Sequence, residues 1–520
     1  MVRYLQKGEF LAIISIVRPT GTFEVLLKPC FGGCAFGKFS LWAKIWPKIF
    51  YQPDNRRKRF MVKACAVILA AGNGKRMKSE GSKVLCQVLG TPMIRWVYQN
   101  CMDADLASEN ICVVVGKSSQ DVCGVLPTDT RTAVQEQRLG TGHAVLCAEE
   151  FLRQNAEKDV LILLGDAPFL FGEIIQKAYQ AHKESNNAMT VVSAKVANPT
   201  GYGRILRGAS GVRAIVEDRD ATCAERAITE INSGACWFKV EALLEALPLL
   251  TPQNAQGELY LTQVPAILIE KGLKVDAFNA EDAKVVLGAN SRRELASLNQ
   301  IAREMVFDKL YDAGVDIPVT DGVVISAQAE IGADTQILPG TIIKGHCVIG
   351  KGCVIGPGSV LEDAVIGDGC VIRNTYITRS VLEDDVQIGP FSQVRPDCRI
   401  CRGVRIGDFV EVKNSVVGED THAAHLTYIG DTDCGKRVNF GCGVAIANYN
   451  GKKKFRTTIG DDCFIGCNTS LVSPVTIGDG AYTAAGSAVT VDVPADAVCI
   501  ARSREVIKEG MALRYRKEKK

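Results

Sequence analysis

Residues 330–361 read EIGADTQILPGTIIKGHCVIGKGCVIGPGSVL, with an apolar residue at every sixth position. These positions are Ile331, Ile337, Ile343, Ile349, Ile355 and Leu361. An α-helix repeats about every 3.6 residues and a strand about every two, so neither accounts for this spacing. A six-residue period is typical of a parallel β-helix, in which each repeat forms one flat side of a three-sided coil and the apolar side chains stack in its centre.

The same period continues toward the C terminus in two further runs. Its apolar positions are Leu382, Ile388, Val394, Ile400, Ile406 and Val412, and then Ile459, Ile465, Leu471 and Ile477. Glycine often follows the buried residue, as at Gly350 and Gly356, because a sharp corner needs backbone freedom. The repeat is interrupted at 421–428 and 439–454, and functional residues are often found at such interruptions.

The region before the repeat has the pattern of an α/β domain. Ala64–Leu69 is an apolar run of strand length, and a glycine-rich turn follows it. Similar runs recur at Ile111–Val115, Val160–Leu164 and Met189–Val192, separated by stretches of helix length. This alternation predicts a Rossmann-like sheet with helices on its faces. A glycine-rich turn after a buried strand can bind phosphate through backbone N–H groups, although many such turns bind nothing.

Eight short motifs occur in order along this region. They are LAAGNGKRM (69–77), SKVL (82–85), LGTGHA (139–144), GDAP (165–168), GYGR (201–204), VE (216–217), EINSG (230–234) and GAN (288–290). Taken together, they closely resemble the uridyltransferase half of the bacterial bifunctional N-acetylglucosamine-1-phosphate uridyltransferase/glucosamine-1-phosphate N-acetyltransferase family. The resemblance covers essentially all of residues 61–520.

The resemblance implies a bifunctional enzyme. Such an enzyme acetylates glucosamine-1-phosphate with acetyl-CoA, and it transfers UMP from UTP to N-acetylglucosamine-1-phosphate. The products are UDP-N-acetylglucosamine, for peptidoglycan and lipopolysaccharide synthesis, and pyrophosphate. The resemblance also implies that the coil is left-handed, that the protein is a cytoplasmic homotrimer, and that the acetyltransferase sites lie between neighbouring subunits.

Nucleotidyl transfer brings several negative charges together, so cations are needed at the site. By the resemblance, Arg76 and Lys83 are catalytic residues on the phosphates, and Asp166 and Asn290 bind Mg²⁺, which prefers hard oxygen ligands. The family's positions for the nucleotide and the amino sugar match Leu69, Ala70, Gly72, Lys83, Gln135, Gly140, Thr141, Gly203, Glu217, Asn232 and Asn290. Among these, Gln135, Gly140 and Thr141 would hold the uridine, and Gly203, Glu217 and Asn232 would hold the amino sugar.

Simpler roles are open for single residues of this half. An isolated Asp after a strand, such as Asp166, often caps a helix, and His143 is expected to hold its loop rather than to react. The segment 254–263 departs from the family pattern, in which Asp follows the threonine matched by Thr262. This departure concerns the details of the sugar pocket rather than the reaction.

The acetyl transfer needs a base that removes a proton from the substrate ammonium, and a neutral histidine suits this role near pH 7. By the resemblance, the base matches His425 in the sequence HLTY, although a histidine on a repeat surface is often merely exposed. Glu411 is a candidate for orienting the base or the amine. By the same resemblance, the positions that bind glucosamine-1-phosphate match Arg395, Lys413, Tyr428, Asn439 and Lys454, with the cations at its phosphate. The positions for acetyl-CoA and the amine match Asn448, Tyr449, Cys442, Cys467, Ala485 and Arg502.

Two of these coenzyme positions depart from the family, because Cys442 stands where alanine is common and Cys467 where serine is usual. The position of Cys442 is expected to supply a backbone N–H that steadies the oxyanion. Backbone donors survive side-chain changes, so we expect activity to persist with an altered coenzyme affinity. The basic end 514–520 could reach the coenzyme phosphates, although a solvated tail is the simpler interpretation.

Composition excludes several other classes of protein. The charged share is 23% and the apolar share 47%, as in globular proteins. No apolar run approaches the roughly 18 residues of a membrane span. The net charge is +8 over residues 1–60 and −5 over 61–520, so no basic surface for nucleic acid is expected. The 20 cysteines include one CxxC, Cys398 and Cys401, without a second metal-binding pair, which favours reduced thiols.

From these observations and the family resemblance, we expect four segments. Residues 1–60 contain the apolar stretch 10–17 without a cleavage site after it, and Met61 directly precedes the first strand of the α/β pattern, so we expect a poorly ordered extension or a misassigned start. Residues 61–290 are the uridyltransferase domain. Residues 291–313 are a linker, since 292–312 has apolar residues at helical spacing. Residues 314–520 are the acetyltransferase β-helix.

Two other functions are compatible with parts of this pattern. Adenylyl- and guanylyltransferases of sugars also join an α/β domain to hexapeptide coils, but they lack the HLTY motif and the NYNGKKK insertion at 448–454 that this chain has. A non-catalytic subunit with both folds would be expected to lose Asp166, Arg76 or Lys83, and all three are present.

Overall fold

The computed structural model describes residues 12–17, 23–28, 64–72, 77, 81–117, 120–208 and 211–515. The chain divides into two compact units, Met1–Phe60 and Met61–Lys520. In the first unit, strands β1 (Ala12–Val17) and β2 (Phe23–Lys28) pair antiparallel. Met61, the expected start, lies outside the described residues.

The second unit begins with a nine-stranded mixed sheet, as the alternating pattern predicted. The strands of the sheet are β3 (Ala64–Leu69), β6 (Ile111–Gly116), β7 (Arg131–Gln135), β8 (Asp159–Leu164), β9 (Met189–Lys195), β10 (Arg204–Gly208), β11 (Gly211–Val216), β12 (Glu230–Lys239) and β13 (Val275–Asn279). The central strands β8, β3, β6 and β7 are parallel, whereas β12 runs antiparallel to β8 and β9. A small hairpin, β4 (Gln87–Val88) and β5 (Thr91–Pro92), lies outside the sheet.

Helices cover the sheet because its central strands are buried on both faces, as parallel sheets require. The helices are α1 (Met93–Asp103), α2 (Gln120–Gly124), α3 (Thr141–Leu146), α4 (Glu149–Arg153), α5 (Gly172–Glu184), α6 (Cys223–Arg226), α7 (Val240–Ala246) and α8 (Val264–Glu270). Short 3₁₀ turns are found at Lys83–Leu85, Ser108–Asn110, Leu247–Leu249, Leu261–Gln263, Ala283–Val286 and Met511–Tyr515.

Helix α9 (Arg292–Asp312) has the bounds that the helical spacing predicted. Ser291 caps it, with its hydroxyl accepting the backbone N–H of Glu294 at 3.2 Å. Its buried side chains, including Leu298, Ala302 and Leu310, join one apolar core that extends into the first coils beyond it.

The hexapeptide region folds into a three-sided parallel β-helix, which we call the prism. Side 1 contains Val324–Ile325, Ile342–Lys344, Val360–Glu362, Tyr376–Thr378, Gln393–Val394, Glu411–Lys413, Tyr428–Gly430, Ala445–Ala447, Ser470–Val472 and Ala488–Val489. Side 2 contains Glu330–Ile331, Val348–Ile349, Val365–Ile366, Val381–Leu382, Arg399–Ile400, Val416–Val417, Thr432–Cys434, Thr457–Ile459 and Val475–Ile477. Side 3 contains Gln336–Ile337, Val354–Ile355, Val371–Ile372, Gln387–Ile388, Arg405–Asp408, His422–His425, Asn439–Phe440, Phe464–Ile465, Tyr482–Thr483 and Val498–Cys499.

The sixth-position residues form the ladder that the sequence predicted. Ile337 pairs with Ile355 across adjacent coils, and Ile343 pairs with Leu361. All four are at most 1% exposed. The buried corner thiols Cys347, Cys353, Cys370 and Cys463 donate to backbone carbonyls, and every described cysteine is a free thiol, as expected.

Of the two predicted interruptions, only the second leaves the coil. The stretch 421–428 stays in register because Ala423, fully buried, takes the place of a larger apolar residue between Ile406 and Phe440. In the second, an antiparallel bridge between Tyr449 and Lys454 closes a loop that projects from side 1. Among the described residues, no helix has the length and apolar character needed to cross a membrane.

Candidate active sites

Three of the predicted uridyltransferase residues converge in the α/β region. The ammonium of Lys83 forms an ion pair with Asp166 Oδ2, and it donates to Asn290 Oδ1 at 2.9 Å. The side chains of Lys83 and Asp166 are 17% and 15% exposed, so they are shielded but reachable. The side chain of Asp166 therefore pairs with Lys83. It does not cap a helix, because α5 begins six residues later with Phe171 at its N-cap.

Backbone contacts explain why these three residues meet. Asp166 follows the end of β8, where the N–H of Gly165 donates to Leu69 O at 2.9 Å and so joins two parallel strand ends. The N–H of Ala289 donates to Asp166 O at 3.3 Å. A Cβ at Gly288 would lie 3.2 Å from the same oxygen, so this position favours glycine.

The donor set of Asp166 and Asn290 suits a hard divalent cation. Both oxygens already converge on one cation, the Lys83 ammonium, which shows that they can share a positive charge. A carboxylate and an amide oxygen are ligands that Mg²⁺ accepts, and waters and phosphate oxygens usually complete its shell. Within the described part of the chain, no group of three or more His, Cys, Asp or Glu side chains could hold a metal.

The residues expected to hold the amino sugar also come together. The N–H of Asn232 donates to Gly203 O at 2.8 Å. A Cβ at Gly203 would lie 3.2 Å from Ile215 Cγ2, 3.6 Å from Asn232 Cβ and 3.7 Å from Glu217 Oε2, so a side chain here would crowd these residues. The pairing of β12 with β9 shifts register between Asn232 and Cys236, so the regular ladder is interrupted next to Asn232.

Glu217 is held in a partly desolvated position. Burial raises the pKa of its carboxyl, and the hydroxyl of Thr262 opposes this by donating to Oε1 at 3.0 Å. Gln263, which follows where the family has Asp, has a different task, because its amide bonds both the N–H and the carbonyl of Thr251 at 3.1 and 2.8 Å. The departure from the family pattern therefore fixes a loop and leaves Thr262 beside Glu217.

The predicted uridine residues form a compact loop at the start of α3. Gln135 Nε2 donates to Gly140 O at 3.2 Å and lies 3.1 Å from His143 Nδ1, so His143 has the structural role expected of it. Gly140 has φ +112°, and a Cβ there would come within 2.5 Å of Leu259 O, which excludes larger residues. The hydroxyl of Thr141 accepts the N–H of Leu261 at 3.0 Å.

The structure describes only part of the glycine-rich turn that follows β3. Arg76 lies outside the described residues. The N–H of Ala70 donates to Val114 O at 2.8 Å and Leu69 O accepts from Gly165, so these groups serve the sheet, whereas Gly72 is exposed. Arg138, which sequence reasoning missed, donates through Nε to Ala71 O at 2.6 Å and ties the turn to the uridine loop.

On the prism, the predicted base His425 has a carboxylate partner that the sequence did not reveal. His425 Nδ1 lies 2.9 Å from Asp408 Oδ1, and the two residues are paired on adjacent coils of side 3. The hydrogen bond from His425 lowers the pKa of Asp408, so this carboxyl is ionised at neutral pH. Glu411, the expected candidate for this orienting role, instead accepts from Arg395 Nη1 at 2.9 Å.

Three cations predicted to grip the sugar phosphate form a cluster on side 1. Lys413 Nζ lies 3.0 Å from Asp431 Oδ2. The nearby ammonium of Lys413 lowers the pKa of Lys454, and the charge of Arg395 acts in the same direction. An excess of positive charge at one place favours a bound anion.

Asp431 organises the base of this cluster and was missed in the sequence. It is 6% exposed, and burial opposes its ionisation, but hydrogen bonds from Asn414 and Lys413 outweigh this cost and lower its pKa. Asn448 Nδ2 also donates to Asp431 Oδ2 at 2.6 Å, and it lies 3.3 Å from the hydroxyl of Tyr428. The predicted residues Lys413, Tyr428 and Asn448 therefore belong to one network.

The remaining predicted residues occupy neighbouring coils. Asn439 pairs with His422 on side 3, and Tyr449 is 58% exposed on the projecting loop, with its hydroxyl donating to Gly451 O at 2.6 Å. Adjacent coils of side 3 pair through buried residues. Cys442, Cys467 and Ala485 each lie two residues after such a buried residue, just as His425 lies two residues after Ala423. Arg502 follows the last strand of side 3.

Comparison with known proteins covers both regions. Residues 66–231 match the family described as MobA-like NTP transferase domain. Residues 328–363, 379–414 and 456–490 match the bacterial transferase hexapeptide family of six repeats. The fold class predicted from the sequence, a Rossmann-like nucleotidyltransferase domain with a left-handed parallel β-helix, is confirmed.

Individual relatives match over almost their whole length. The bifunctional protein GlmU of Acetivibrio thermocellus is 45% identical over 452 residues, which are 86% of this chain and 97% of the relative. The bifunctional protein GlmU of Caldicellulosiruptor saccharolyticus is 44% identical over 87% of this chain and 98% of its own length. That of Clostridium botulinum is 43% identical over 86% and 97%.

Proposed function

Because this chain belongs to the GlmU family of bifunctional uridyltransferases and acetyltransferases, we propose that its α/β region and its prism each carry one of the two reactions. The observation that carries the proposal is that the groups needed for phosphate chemistry and for acyl transfer gather in different regions: Lys83 with Asp166 and Asn290 in one, His425 with Asp408 in the other. The first domain then comprises residues 61–290, the linker 291–313, and the second domain 314–520.

In the uridyltransferase, the substrates are UTP and N-acetylglucosamine-1-phosphate. Lys83 and Arg76 neutralise the phosphates, so that the sugar phosphate oxygen can attack the α-phosphorus while pyrophosphate leaves. Gln135, Gly140 and Thr141 hold the uridine, and Gly203, Glu217 and Asn232 hold the amino sugar. The nucleotidyltransferase of this family is metal-dependent. Asp166 and Asn290 would hold Mg²⁺, which supplies positive charge to the phosphate oxygens.

In the acetyltransferase, the substrates are glucosamine-1-phosphate and acetyl-CoA. Arg395, Lys413 and Lys454 hold the phosphate of the sugar. Asp408 orients His425 through Nδ1, which leaves Nε2 free to take a proton from the substrate ammonium. The neutral amine then attacks the thioester carbonyl, the C–S bond breaks, and coenzyme A leaves as its thiol after taking up a proton. The backbone at Cys442 steadies the oxyanion, and Cys467, Ala485 and Arg502 contact the coenzyme.

Membership of the family also supports a proposal about assembly and place of action. We propose a cytoplasmic homotrimer that supplies UDP-N-acetylglucosamine to cell-wall synthesis. The exposure of His425, at 60%, supports a site completed by a second subunit, because acyl transfer benefits from the exclusion of water.

A pair of substitutions tests the division of labour. Asp166→Asn is expected to lower uridyltransferase kcat by a factor on the order of 100 or more, because a cation ligand loses its charge, and to leave acetyl transfer unchanged. His425→Ala is expected to do the reverse. Both activities are measured on the same full-length preparations, and loss of both activities from a well-folded variant would contradict the proposal.

A further inference from the structure

Helix α9 does more than join the two regions, because three side chains in its first half bond to backbone groups beside the uridyltransferase residues. Glu294 Oε2 accepts the N–H of Asn290 at 2.5 Å. Arg292 Nε donates to Met77 O at 3.3 Å, at the end of the glycine-rich motif 69–77. Asn299 bonds to the hairpin β4–β5, which follows Lys83.

Glu294 restrains the residue expected to hold the cation. Its own N–H is fixed by the Ser291 hydroxyl, so that carboxylate, cap and Asn290 form one closed arrangement at the helix start. In the usual capping box, a glutamate at this position bonds to the N–H of the cap residue itself. Here the bond goes one residue further back, to Asn290, so the helix end positions the residue whose Oδ1 meets Lys83.

Asn299 restrains the segment that carries Lys83. Its Oδ1 accepts the N–H of Leu89 at 2.9 Å, and its Nδ2 donates to Gln87 O at 3.2 Å. Leu89 has φ +48°, a conformation that is unfavourable for a non-glycine residue and persists only where contacts hold it. The hairpin is joined to Lys83 by a single 3₁₀ turn, in which the N–H of Cys86 donates to Lys83 O at 3.0 Å.

Apolar packing supports the same link. Val88, Leu89 and Met77 lie in one buried cluster with Leu298 and Ala302 of α9. The hairpin therefore packs on the helix rather than on the central sheet, and the helix fixes where it lies.

We propose that the first half of α9 is part of the uridyltransferase site, with Glu294 as a positioning residue for Asn290 and Asn299 as a positioning residue for the Lys83 segment. This inference rests on the proposed roles of Asn290 and Lys83. It differs from the boundary at residue 290 that the sequence favoured, because a chain cut there would lose Glu294 and Asn299.

Glu294 is tested with Glu294→Asp, which keeps the negative charge at the helix start but shortens the reach to Asn290. Mn²⁺ binding in the presence of UDP-N-acetylglucosamine is followed by electron paramagnetic resonance, alongside the metal dependence of uridyl transfer. We expect Mn²⁺ to bind about tenfold or more weakly, as for other residues that orient metal ligands. Glu294→Gln, whose amide oxygen can still accept the bond, should restore most of the affinity.

Asn299→Ala should lower uridyltransferase kcat about fivefold or more by displacing Lys83, with Mn²⁺ affinity unchanged. Glu304→Ala and Gln300→Ala are matched controls, since these exposed neighbours on α9 bond only to each other among the contacts seen here. The acetyltransferase activity of each preparation reports on folding of the chain.

Wild-type affinity and kinetics in both Glu294→Asp and Asn299→Ala would overturn the inference. Failure of the underlying function would look different: Asp166→Asn would then keep Mn²⁺ affinity and uridyl transfer, whatever happens at Glu294.

Discussion

His425 Nδ1 and Asp408 Oδ1 lie 2.9 Å apart on adjacent coils of the prism, on the same side and in paired register. A carboxylate at this nitrogen selects the tautomer with a free Nε2 and favours the imidazolium that forms during proton transfer. The pair therefore has the arrangement of a general base and its orienting group.

We predict that Asp408→Asn lowers acetyltransferase kcat by about 10- to 100-fold, while His425→Ala lowers it by about 100-fold or more. Glu411→Gln should act differently, because Glu411 pairs with Arg395 in the phosphate cluster. That variant should mainly change KM for glucosamine-1-phosphate. Steady-state kinetics on all three variants check this, and an equal loss of kcat in Glu411→Gln would assign the orienting role to Glu411 instead.

We expect the ionised carboxylate of Glu217 to lower the stability of the folded protein, although it contributes to substrate binding. Burial raises its pKa above the ordinary 4.5, so the folded protein holds this proton more tightly than the unfolded chain. Ionisation therefore costs stability as the pH rises from 4.5 through the raised pKa, and the cost is complete above it. We predict that Glu217→Gln raises Tm at pH 7 and has no such effect below pH 4.5, while KM for N-acetylglucosamine-1-phosphate increases. Differential scanning calorimetry across this range measures the effect, and a Tm gain only at low pH would contradict the sign.

The core ladder should be sensitive to loss of volume. Ile388 is 2% exposed at the centre of the prism, and its neighbour Gln387 on the same short strand is exposed. We predict that Ile388→Ala lowers the free energy of unfolding by about 2–5 kcal/mol, because it leaves a cavity. Gln387→Ala should change it by less than about 0.5 kcal/mol. Denaturant titration followed by circular dichroism compares the two variants, and equal effects would mean that Ile388 does not support the core.

The two coenzyme-site cysteines should be dispensable for chemistry. Cys442→Ala and Cys467→Ser restore the residues common in the family, and the backbone groups at these positions remain. We predict that acetyltransferase kcat stays within about threefold of wild type, and that the change falls mainly on KM for acetyl-CoA. A loss of about 100-fold in kcat for Cys442→Ala would instead show that the thiol takes part in catalysis.

The repeat was predictable because each inward position of the prism accepts an apolar side chain, and these positions recur in the sequence with a fixed period. The role of Asp408 was not predictable, because Gly407-Asp408 looks like the other Gly-Asp corners of the prism. Asp368 and Asp479 in such corners only accept backbone N–H groups of the preceding coil. What distinguishes Asp408 is the histidine one coil later, which becomes visible only when the register is known.

The contacts of α9 could not be predicted for a related reason. Its apolar spacing gave the helix bounds correctly, but Glu294 and Asn299 look like ordinary polar residues on an exposed face. The hairpin at 87–92 is brought to Asn299 by tertiary packing of segments about 210 residues apart. Asn290 is only four residues from Glu294, but its bond to the Glu294 carboxylate departs from the usual capping box, in which the N–H of Ser291 would be the donor. Similarly, Asp431 is one of several Asp residues with positive φ at prism corners, and its burial beneath Lys413 has no local sequence signal.

Among the described residues, the strands of each coil pair only with those of the coil before and the coil after it, so order can be lost from the C-terminal coils one layer at a time. Unravelling from the C terminus would reach Arg502, Ala485 and Cys467 before Cys442, and Cys442 before His425. A protein shortened or cleaved near this end would therefore bind acetyl-CoA more weakly while His425 and Asp408 remained paired. A lower affinity for the coenzyme would be the first measurable effect of damage there.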